Sequence, residues 1–279
     1  MTDKKRICIL SFSTIAWDRR VLREVEMARK FYAVDVIAFG EWLPPGDVRY
    51  FRVDKTKRNI LQTIEYVLSL FTGRLFRSAY EHAFWMHREY RSAQEILLRE
   101  KYHLIHANDW NSLPVSVAVA RAIGTRILFD AHEYSLTEEA DNLLWKFLMV
   151  PYREYLFQTY QTPVGAMITV ADGIKDLYQK QFGWKMDIIL NAPPYARCEY
   201  RPASPEKIRI VHHGAAQENR RLEDFISLIA MLDGRYELSF YLLPSQPKYL
   251  DDLIKLAKKK PQIGPTFLIP CHHKALLSN

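Results

Sequence analysis

HLIHANDWNSLPVSVAVARAIGTRILFDAHE, residues 103–133, is the stretch that decides the predicted fold. Residues 103–107 and 126–130 are short apolar runs, which predict buried strands, and residues 111–123 between them have helical spacing. Asn111 begins the predicted helix and Gly124 ends it. A strand, a helix and a second strand in this order predict a parallel α/β sheet.

Polar side chains stand where each of these two strands ends. The first strand ends in His106, Asn108 and Asp109, and the second ends in Asp130, His132 and Glu133. Parallel α/β sheets bind their ligands in a crevice at the carboxyl ends of the strands, so this cluster is the candidate site. Two of the carboxylates also have structural interpretations, Asp109 as a helix cap and Asp130 as a strand-end group.

Composition limits the classes of protein to consider. The chain has 279 residues, of which 48% are hydrophobic, and this is enough for one large or two ordinary domains. Its three cysteines lack CxxC spacing, so neither a disulfide framework nor a zinc site is expected. The apolar run near Cys8 predicts a first strand and not a signal peptide, no segment is apolar enough to span a bilayer, and a cytoplasmic protein is expected.

The net charge of +7 is unevenly distributed. Residues 102–206 hold 9 Lys and Arg against 12 Asp and Glu, so the candidate site lies in the acidic part of a basic protein. A basic exterior favours anionic membranes, nucleic acid or phosphorylated ligands. No motif combines basic and aromatic residues as nucleic-acid binding requires, so a nucleic-acid partner is not expected.

Residues 1–191 have the pattern of a Rossmann-like domain. Besides the two strands already described, further strands are predicted within this range, over 6–12, 33–39, 48–53, 166–170 and 187–190. Asp18 is expected to cap a helix on which Arg19, Arg20 and Arg23 form a solvated face. The loop before it lacks the glycines of a dinucleotide fingerprint. Residues 136–161 are predicted to be helical, with Pro151 starting a second helix.

Residues 192–206 are rich in proline and predict a linker, after which the pattern restarts over 207–279. Strands are predicted over 208–214, 237–243 and 266–269, and helices over 219–232 and 249–259. This is about half of a doubly wound domain. The predicted fold class is therefore α/β, with a Rossmann-like N-terminal domain and an incomplete second one.

Residues 55–91 have a different pattern of residue types. An apolar and aromatic helical stripe from Ile60 to Tyr90 is flanked by the cations Lys55, Lys57, Arg58, Arg74 and Arg77. Such a pattern fits peripheral contact with the inner membrane face. The alternative is a pair of helices packed on the sheet with solvated charges.

The order of motifs resembles the GT-B glycosyltransferases of family 4, which transfer a sugar from a nucleotide-sugar donor. WDRRVLREV is similar to the family's first helix, IHANDWNSLP and FDAHEYSLTEEAD to its cleft segments, ITVADGIKDLY and ILNAPP to the end of its N-terminal domain, and HHGAAQENRRLEDFI to its donor-domain opening. Together these motifs cover about the first 230 residues.

The resemblance implies roles for particular residues. His132 matches the cleft histidine beside the donor sugar, Asp109 would accept a hydrogen bond from a sugar hydroxyl or act as a base, and Glu133 is a weaker candidate. Gly214 and Arg220 match the loop that binds the donor diphosphate. The implied reaction is retaining transfer to a polysaccharide or lipid-linked acceptor, with a nucleotide-sugar as substrate and neither cofactor nor metal. His272 and His273 beside Cys271 lack metal-ligand spacing.

The sequence departs from the family at three places. Arg221 stands where the family commonly has glycine and Ala171 where it commonly has serine. The family's later pair of glutamates, eight positions apart, is missing because Glu237 is the last glutamate. The donor domain over 207–279 is therefore expected to be truncated. The alternatives are a catalytically incomplete binding or membrane-associated partner and a nucleotide-sugar epimerase.

Overall fold

A seven-stranded parallel sheet organises the first of two compact units, residues 1–193 and 194–279. The computed structural model describes residues 4–139, 141–193 and 195–259. The predicted strand over 266–269 and the residues Cys271, His272 and His273 lie outside that range. The α/β fold class with Rossmann-like architecture is confirmed.

The first unit alternates strands and helices along the chain. Its strands are β1 (Arg6–Thr14), β2 (Ala33–Phe39), β3 (Val48–Arg52), β4 (Leu104–Asn108), β5 (Arg126–Ala131), β6 (Ala166–Thr169) and β7 (Asp187–Ile188). Its helices are α1 (Arg19–Ala28), α2 (Ile60–Thr72), α3 (Arg77–Trp85), α4 (Arg88–Leu98), α5 (Ser112–Ile123), α6 (Leu143–Tyr160) and α7 (Asp172–Phe182). The strand order β3-β2-β1-β4-β5-β6-β7 reverses direction between β1 and β4, which is where doubly wound sheets bind ligands.

Both faces of the sheet are covered, and β1 shows why. Its side chains alternate between faces, so Ile7 and Ile9 join one apolar core with α1 while Cys8 and Leu10 join a second core with α3 to α7. All four side chains are buried. Strands that are apolar on both sides are stable only in this three-layer arrangement, which confirms the interpretation of the short apolar runs.

Helix caps fix the ends of several helices. Asp18 accepts a hydrogen bond from the backbone N–H of Val21 at 3.1 Å, as predicted for the start of α1. Gly124 and Gly183 end α5 and α7 in the left-handed conformation, with φ of 73° and 71°.

The prediction that Pro151 starts a new helix is wrong. Pro151 lies inside the single helix α6. A proline there leaves the carbonyl four residues earlier without its helical donor. That carbonyl belongs to Phe147, and it accepts instead from the Arg74 guanidinium at 2.9 Å. A side chain from outside the helix thus replaces the missing backbone hydrogen bond.

The second unit contains β8 (Ile208–Ala215), α8 (Leu222–Met231), β9 (Tyr236–Leu243) and α9 (Pro247–Ala257) in its described part. β8 and β9 pair in parallel, and the two helices build one apolar core with them. Phe225 in α8 is 38% exposed. No helix among the described residues has the length and hydrophobicity that a bilayer span requires.

Candidate functional site

The carboxyl ends of β4 and β5 bring the predicted site residues together. Parallel register places Asn108 opposite Asp130, so the residues that follow, Asp109 and His132, emerge at the same edge of the sheet. The His132 Nδ1 atom lies 3.6 Å from Asp109 Oδ1. The two polar clusters predicted from the sequence therefore form one group.

The backbone of Asp109 has φ of 64°, in the left-handed region that aspartate tolerates better than most residues. Two hydrogen bonds hold it there. Its N–H donates to the carbonyl of Asp130 at 2.9 Å, and the Ser112 hydroxyl donates to the Asp109 carbonyl at 2.8 Å. The alternative that its carboxylate caps α5 is wrong, because the N-cap residue is Asn111 and the group of Asp109 that accepts from the N–H of Ser112, at 3.1 Å, is its backbone carbonyl.

The Asp109 carboxylate is thus left for the cavity. Burial raises the pKa of Asp109 to about 6, with the charge of His132 opposing the shift. The side chain keeps 38% of its exposure, which moderates that effect.

His132 is held by a hydrogen bond to Asn108. Its Nε2 lies 3.0 Å from Asn108 Oδ1, an amide oxygen that accepts from this ring nitrogen. The Nδ1 atom then faces Asp109. Burial opposes protonation of the imidazole, but the Asp130 and Asp109 carboxylates outweigh it and raise the pKa of His132. A ring held in this way can donate to, or exchange a proton with, a hydroxyl in the crevice.

A buried ion pair lies beneath His132. Arg20 and Asp130 are both buried, and the Arg20 guanidinium donates to both carboxylate oxygens, with Nε at 3.1 Å from Oδ2. Burial would raise the pKa of Asp130, but the imidazoles of His106 and His132, at 3.6 and 3.7 Å from Oδ2, and the Arg20 guanidinium outweigh it and hold the pKa well below its usual range. The prediction that Arg20 lies on a solvated helix face is wrong.

Glu24 and His106 complete this layer. Glu24 Oε1 lies 3.3 Å from Arg20 Nε, and its Oε2 lies 3.7 Å from His106 Nδ1. Glu24, His106 and Asp130 each bring one ligand atom within 4.8 Å of the others, which is close enough for a metal ion. The guanidinium of Arg20 already supplies a fixed positive charge at the Asp130 carboxylate.

Cavities open on two sides of His132 and Glu133. One of about 330 Å³ is lined by residues from both strand ends and the following loop, including Asp109, Trp110, Asn111 and Glu138. The other, of about 450 Å³, lies beside the start of α1, with Ser13, Trp17, Arg20 and Asn191 in its wall. Glu133 is exposed and lines both. Each cavity is large enough for a sugar-sized ligand.

A buried cation shapes the smaller cavity. Arg153 of α6 bonds the carbonyl of Ser135, pairs with Glu138 at 2.9 Å and lies over the Trp110 ring at 4.4 Å. It therefore holds both the loop and the ring that line the cavity. The sequence interpretation missed Arg153 and Glu24 and placed Arg20 in solvent. Arg20 and Glu24 pair within α1, but Asp130, His106, Glu138 and Trp110, which they and Arg153 contact, lie on other elements.

Gly214 and Arg220 are in contact within the second unit. Gly214 has φ of 145°, and a Cβ built on it would lie 2.5 Å from Arg220 Nη1. A side chain at Gly214 would have to displace this guanidinium, and a φ of 145° favours glycine whatever the space. Arg221, which stands where the resembling family has glycine, has φ of 48° and ψ of 49°. The left-handed conformation explains why a glycine suits that position.

No protein-family model and no curated protein matches this chain. Solved structures do. HepE from Anabaena, in complex with UDP and glucose, matches with a TM-score of 0.56 and 13% identity over 93% of this chain and 68% of its own. Sucrose-phosphate synthase from Thermosynechococcus elongatus matches with a TM-score of 0.58 and 12% identity, over 94% of this chain and 70% of its own. WaaB, a lipopolysaccharide outer core galactosyltransferase in its apo form, matches with a TM-score of 0.56 and 10% identity, over 93% of this chain and 67% of its own. The chain has the GT-B fold of these proteins, and membership of family 4 remains a prediction.

Proposed function

We propose that this chain belongs to an enzyme that transfers a sugar from a nucleotide-sugar donor to a glycan or lipid-linked acceptor, with retention of configuration. The observation that carries the proposal is the pairing of His132 with Asp109 beside two sugar-sized cavities at the carboxyl edge of the sheet. Binding of UDP or UDP-glucose by proteins of the same fold supports a nucleotide-sugar as donor.

Each residue has a role that its surroundings allow. His132 would hydrogen-bond a hydroxyl of the donor sugar or stabilise charge as the sugar leaves. Asp109 would accept a hydrogen bond from an acceptor hydroxyl or take its proton, and a pKa near 6 suits a base that works near neutral pH. Glu133 would bind a further hydroxyl. Asp130 and Arg20 position His132 from below.

Arg220 would stabilise the diphosphate leaving group, because its planar guanidinium can contact two phosphate oxygens at once. Gly214 allows the guanidinium to lie against the backbone. The negative charge of the leaving group would thus be met by a side chain and by helix N-terminal amides, without a metal ion or other cofactor.

Nucleotide release from a panel of UDP- and GDP-sugars tests this function in the full chain. Substituting His132→Ala or Arg220→Met should lower the rate about 100-fold or more. His103→Ala is the matched control, because His103 stands before β4 at the opposite end of the strand from the site. No release across the panel by folded protein would overturn a self-sufficient transferase.

A binding partner without catalysis is the second candidate, and the sequence observation that favours it is Arg221, which stands in the donor-domain loop where the resembling family has glycine. The chain would then hold a glycan, or dock another chain, without transferring sugar. Size-exclusion chromatography with light scattering discriminates, since a monomer under all conditions contradicts the docking version. Isothermal titration of UDP, with Arg220→Met as control, would show whether donor recognition persists without turnover.

A further inference from the structure

The helix α2 is turned with its apolar side away from the protein. A surface helix normally buries its apolar stripe. Here five apolar residues are between half and four-fifths exposed: Ile60 79%, Leu61 76%, Ile64 51%, Leu68 57% and Phe71 56%. The side toward the protein holds Gln62, Tyr66, Ser69 and Leu70, which are half-buried or buried. This orientation leaves a continuous apolar stripe in contact with solvent.

The stripe continues onto neighbouring segments. Leu75 and Phe76, which follow α2, are 80% and 66% exposed. The first turns of α6 add Leu143, Leu144 and Phe147, and the Phe147 ring lies 6.0 Å from the ring of Phe71. We call this set, from α2, residues 75–76 and the start of α6, the outer apolar face. Exposed apolar surfaces that extend over several elements mark interaction sites.

Cations surround the outer apolar face. Residues 55–91 contain seven Lys and Arg against three Glu. Three of the cations have structural roles. Arg58 lies 3.8 Å from the centroid of the Tyr66 ring, Arg74 bonds the Phe147 carbonyl, and Arg77 lies 5.7 Å from the centroid of the Tyr155 ring. The others include Lys55 and Lys57, which are exposed just before α2. The face therefore has a basic rim.

A basic cavity of about 370 Å³ adjoins the face between α2, α3 and the start of α4. Its charged lining is Arg58, His82, Arg88 and Arg91 against the single carboxylate Glu65, which already bonds His82 at 2.8 Å. Among the described residues, no carboxylate lies within ion-pairing distance of Arg88 or Arg91. Glu65 is flanked on α2 by Leu61 and Leu68, so the cavity opens at the edge of the apolar face.

We propose that this side of the first unit binds a membrane surface rich in anionic lipid. The outer apolar face lies at the boundary of the acyl chains, and a lipid phosphate enters the basic cavity, where arginine side chains contact its oxygens. The positive charge of the basic rim favours anionic lipid over other ligands of the outer apolar face. A second copy of the chain would bring two basic rims together, whereas anionic headgroups neutralise the rim. The proposal is independent of sugar transfer, because vesicle binding requires neither donor nor acceptor.

Vesicle co-sedimentation of the full chain tests the proposal. Vesicles of equal parts phosphatidylglycerol and phosphatidylcholine should bind at least about ten-fold more tightly than pure phosphatidylcholine. The triple substitution Ile64→Ser, Leu68→Ser and Phe71→Ser should weaken binding by about ten-fold or more. Met27→Ser with Phe31→Ser is the matched control, since those two residues are 67% and 69% exposed near the end of α1 and should not affect binding.

A second pair of variants tests the basic cavity. Arg88→Ser with Arg91→Ser should weaken binding to the anionic vesicles roughly 25-fold, about five-fold for each cation near the surface. Lys180→Ser with Lys185→Ser removes the same charge at exposed positions elsewhere in the unit and should leave binding within about two-fold. Circular dichroism confirms that every variant is folded.

Three results would overturn the proposal. The first is the lack of vesicle binding by the folded chain. The second is an equal loss of vesicle binding in the variant with both Arg88 and Arg91 replaced and in the control with both Lys180 and Lys185 replaced. The third is a dimer in light scattering that the triple apolar variant dissociates, because the face would then belong to a second copy.

Discussion

Asp109 combines an unusual backbone conformation with a raised pKa at the same position. A pKa raised from 3.8 to about 6 corresponds to about 3 kcal/mol, and the 38% exposure of the side chain reduces this to about 1 kcal/mol. Because the pKa is higher in the folded state, the folded protein loses this stability as the pH rises from about 4 to 6 and does not regain it above 6. Residues held in such surroundings are common at functional sites.

Asp109→Asn should therefore stabilise the protein by about 1 kcal/mol at pH 7, with most of the gain absent at pH 4. Asparagine also tolerates the left-handed conformation, so the backbone is unaffected. Urea unfolding at the two pH values measures the difference, with Asp47→Asn on an exposed loop as control. An equal gain at both pH values would contradict a titration effect. If Asp109 is the base, sugar transfer should fall about 100-fold in the same variant.

Arg221 shows the effect of one side chain in the left-handed region. An ordinary residue there is about 1 to 2 kcal/mol less stable than in right-handed conformations, and glycine avoids most of this. Arg221→Gly should raise the free energy of unfolding by about 1 kcal/mol despite losing the exposed contact with Asp224 at 2.9 Å. Arg221→Ala, which keeps the Cβ atom, should give no gain. Thermal unfolding of both variants distinguishes backbone strain from loss of the ion pair.

At the scale of elements, α6 depends on a residue from outside the helix. Arg74→Met should destabilise the protein by about 1 kcal/mol, because the Phe147 carbonyl opposite Pro151 loses its donor. In a Pro151→Ala background the helix supplies its own N–H, so the same substitution should have a smaller effect. A double-mutant cycle measures this coupling. Additive effects would show that Arg74 acts through its contact with the Phe147 ring instead.

The helices also show how far sequence patterns reach. Periodicity predicted the existence of α1, α2 and α5 because it depends only on neighbours along the chain. It could not show which side of α2 faces the protein. The pattern left open whether the apolar stripe packs on the sheet or faces a membrane, and the tertiary packing buries Ser69 and exposes Ile60. That orientation is set by α3 and α6, which lie against α2.

At the scale of the whole molecule, the two units have separate apolar cores. The buried residues of the first unit's cores all fall between Ile7 and Met186, and those of the second unit's core fall between Ala216 and Ala257. A fragment of residues 1–193 should therefore fold alone, with a Tm within about 5 °C of the corresponding transition in the full chain. Differential scanning calorimetry makes the comparison.

A shorter fragment, residues 1–164, is the control for that experiment. It lacks Tyr178 and Trp184, whose rings lie 5.7 and 5.1 Å from the ring of Phe157 in the core. Loss of these large buried rings should prevent cooperative unfolding. Failure of the 1–193 fragment to fold would show that the first unit depends on the rest of the chain.

The sequence by itself determined the order of strands and helices and the polar residues at the ends of β4 and β5. The spacing of apolar residues and the positions where strands end are local properties of the chain. Asp109 and His132 could therefore be identified before the distance between their side chains was known. The tertiary structure alone decided which buried groups support them. Arg20 meets Asp130 across 110 residues, and Arg74 meets the Phe147 carbonyl across 73. Such partners depend on how elements pack against each other, and no spacing along the chain encodes that.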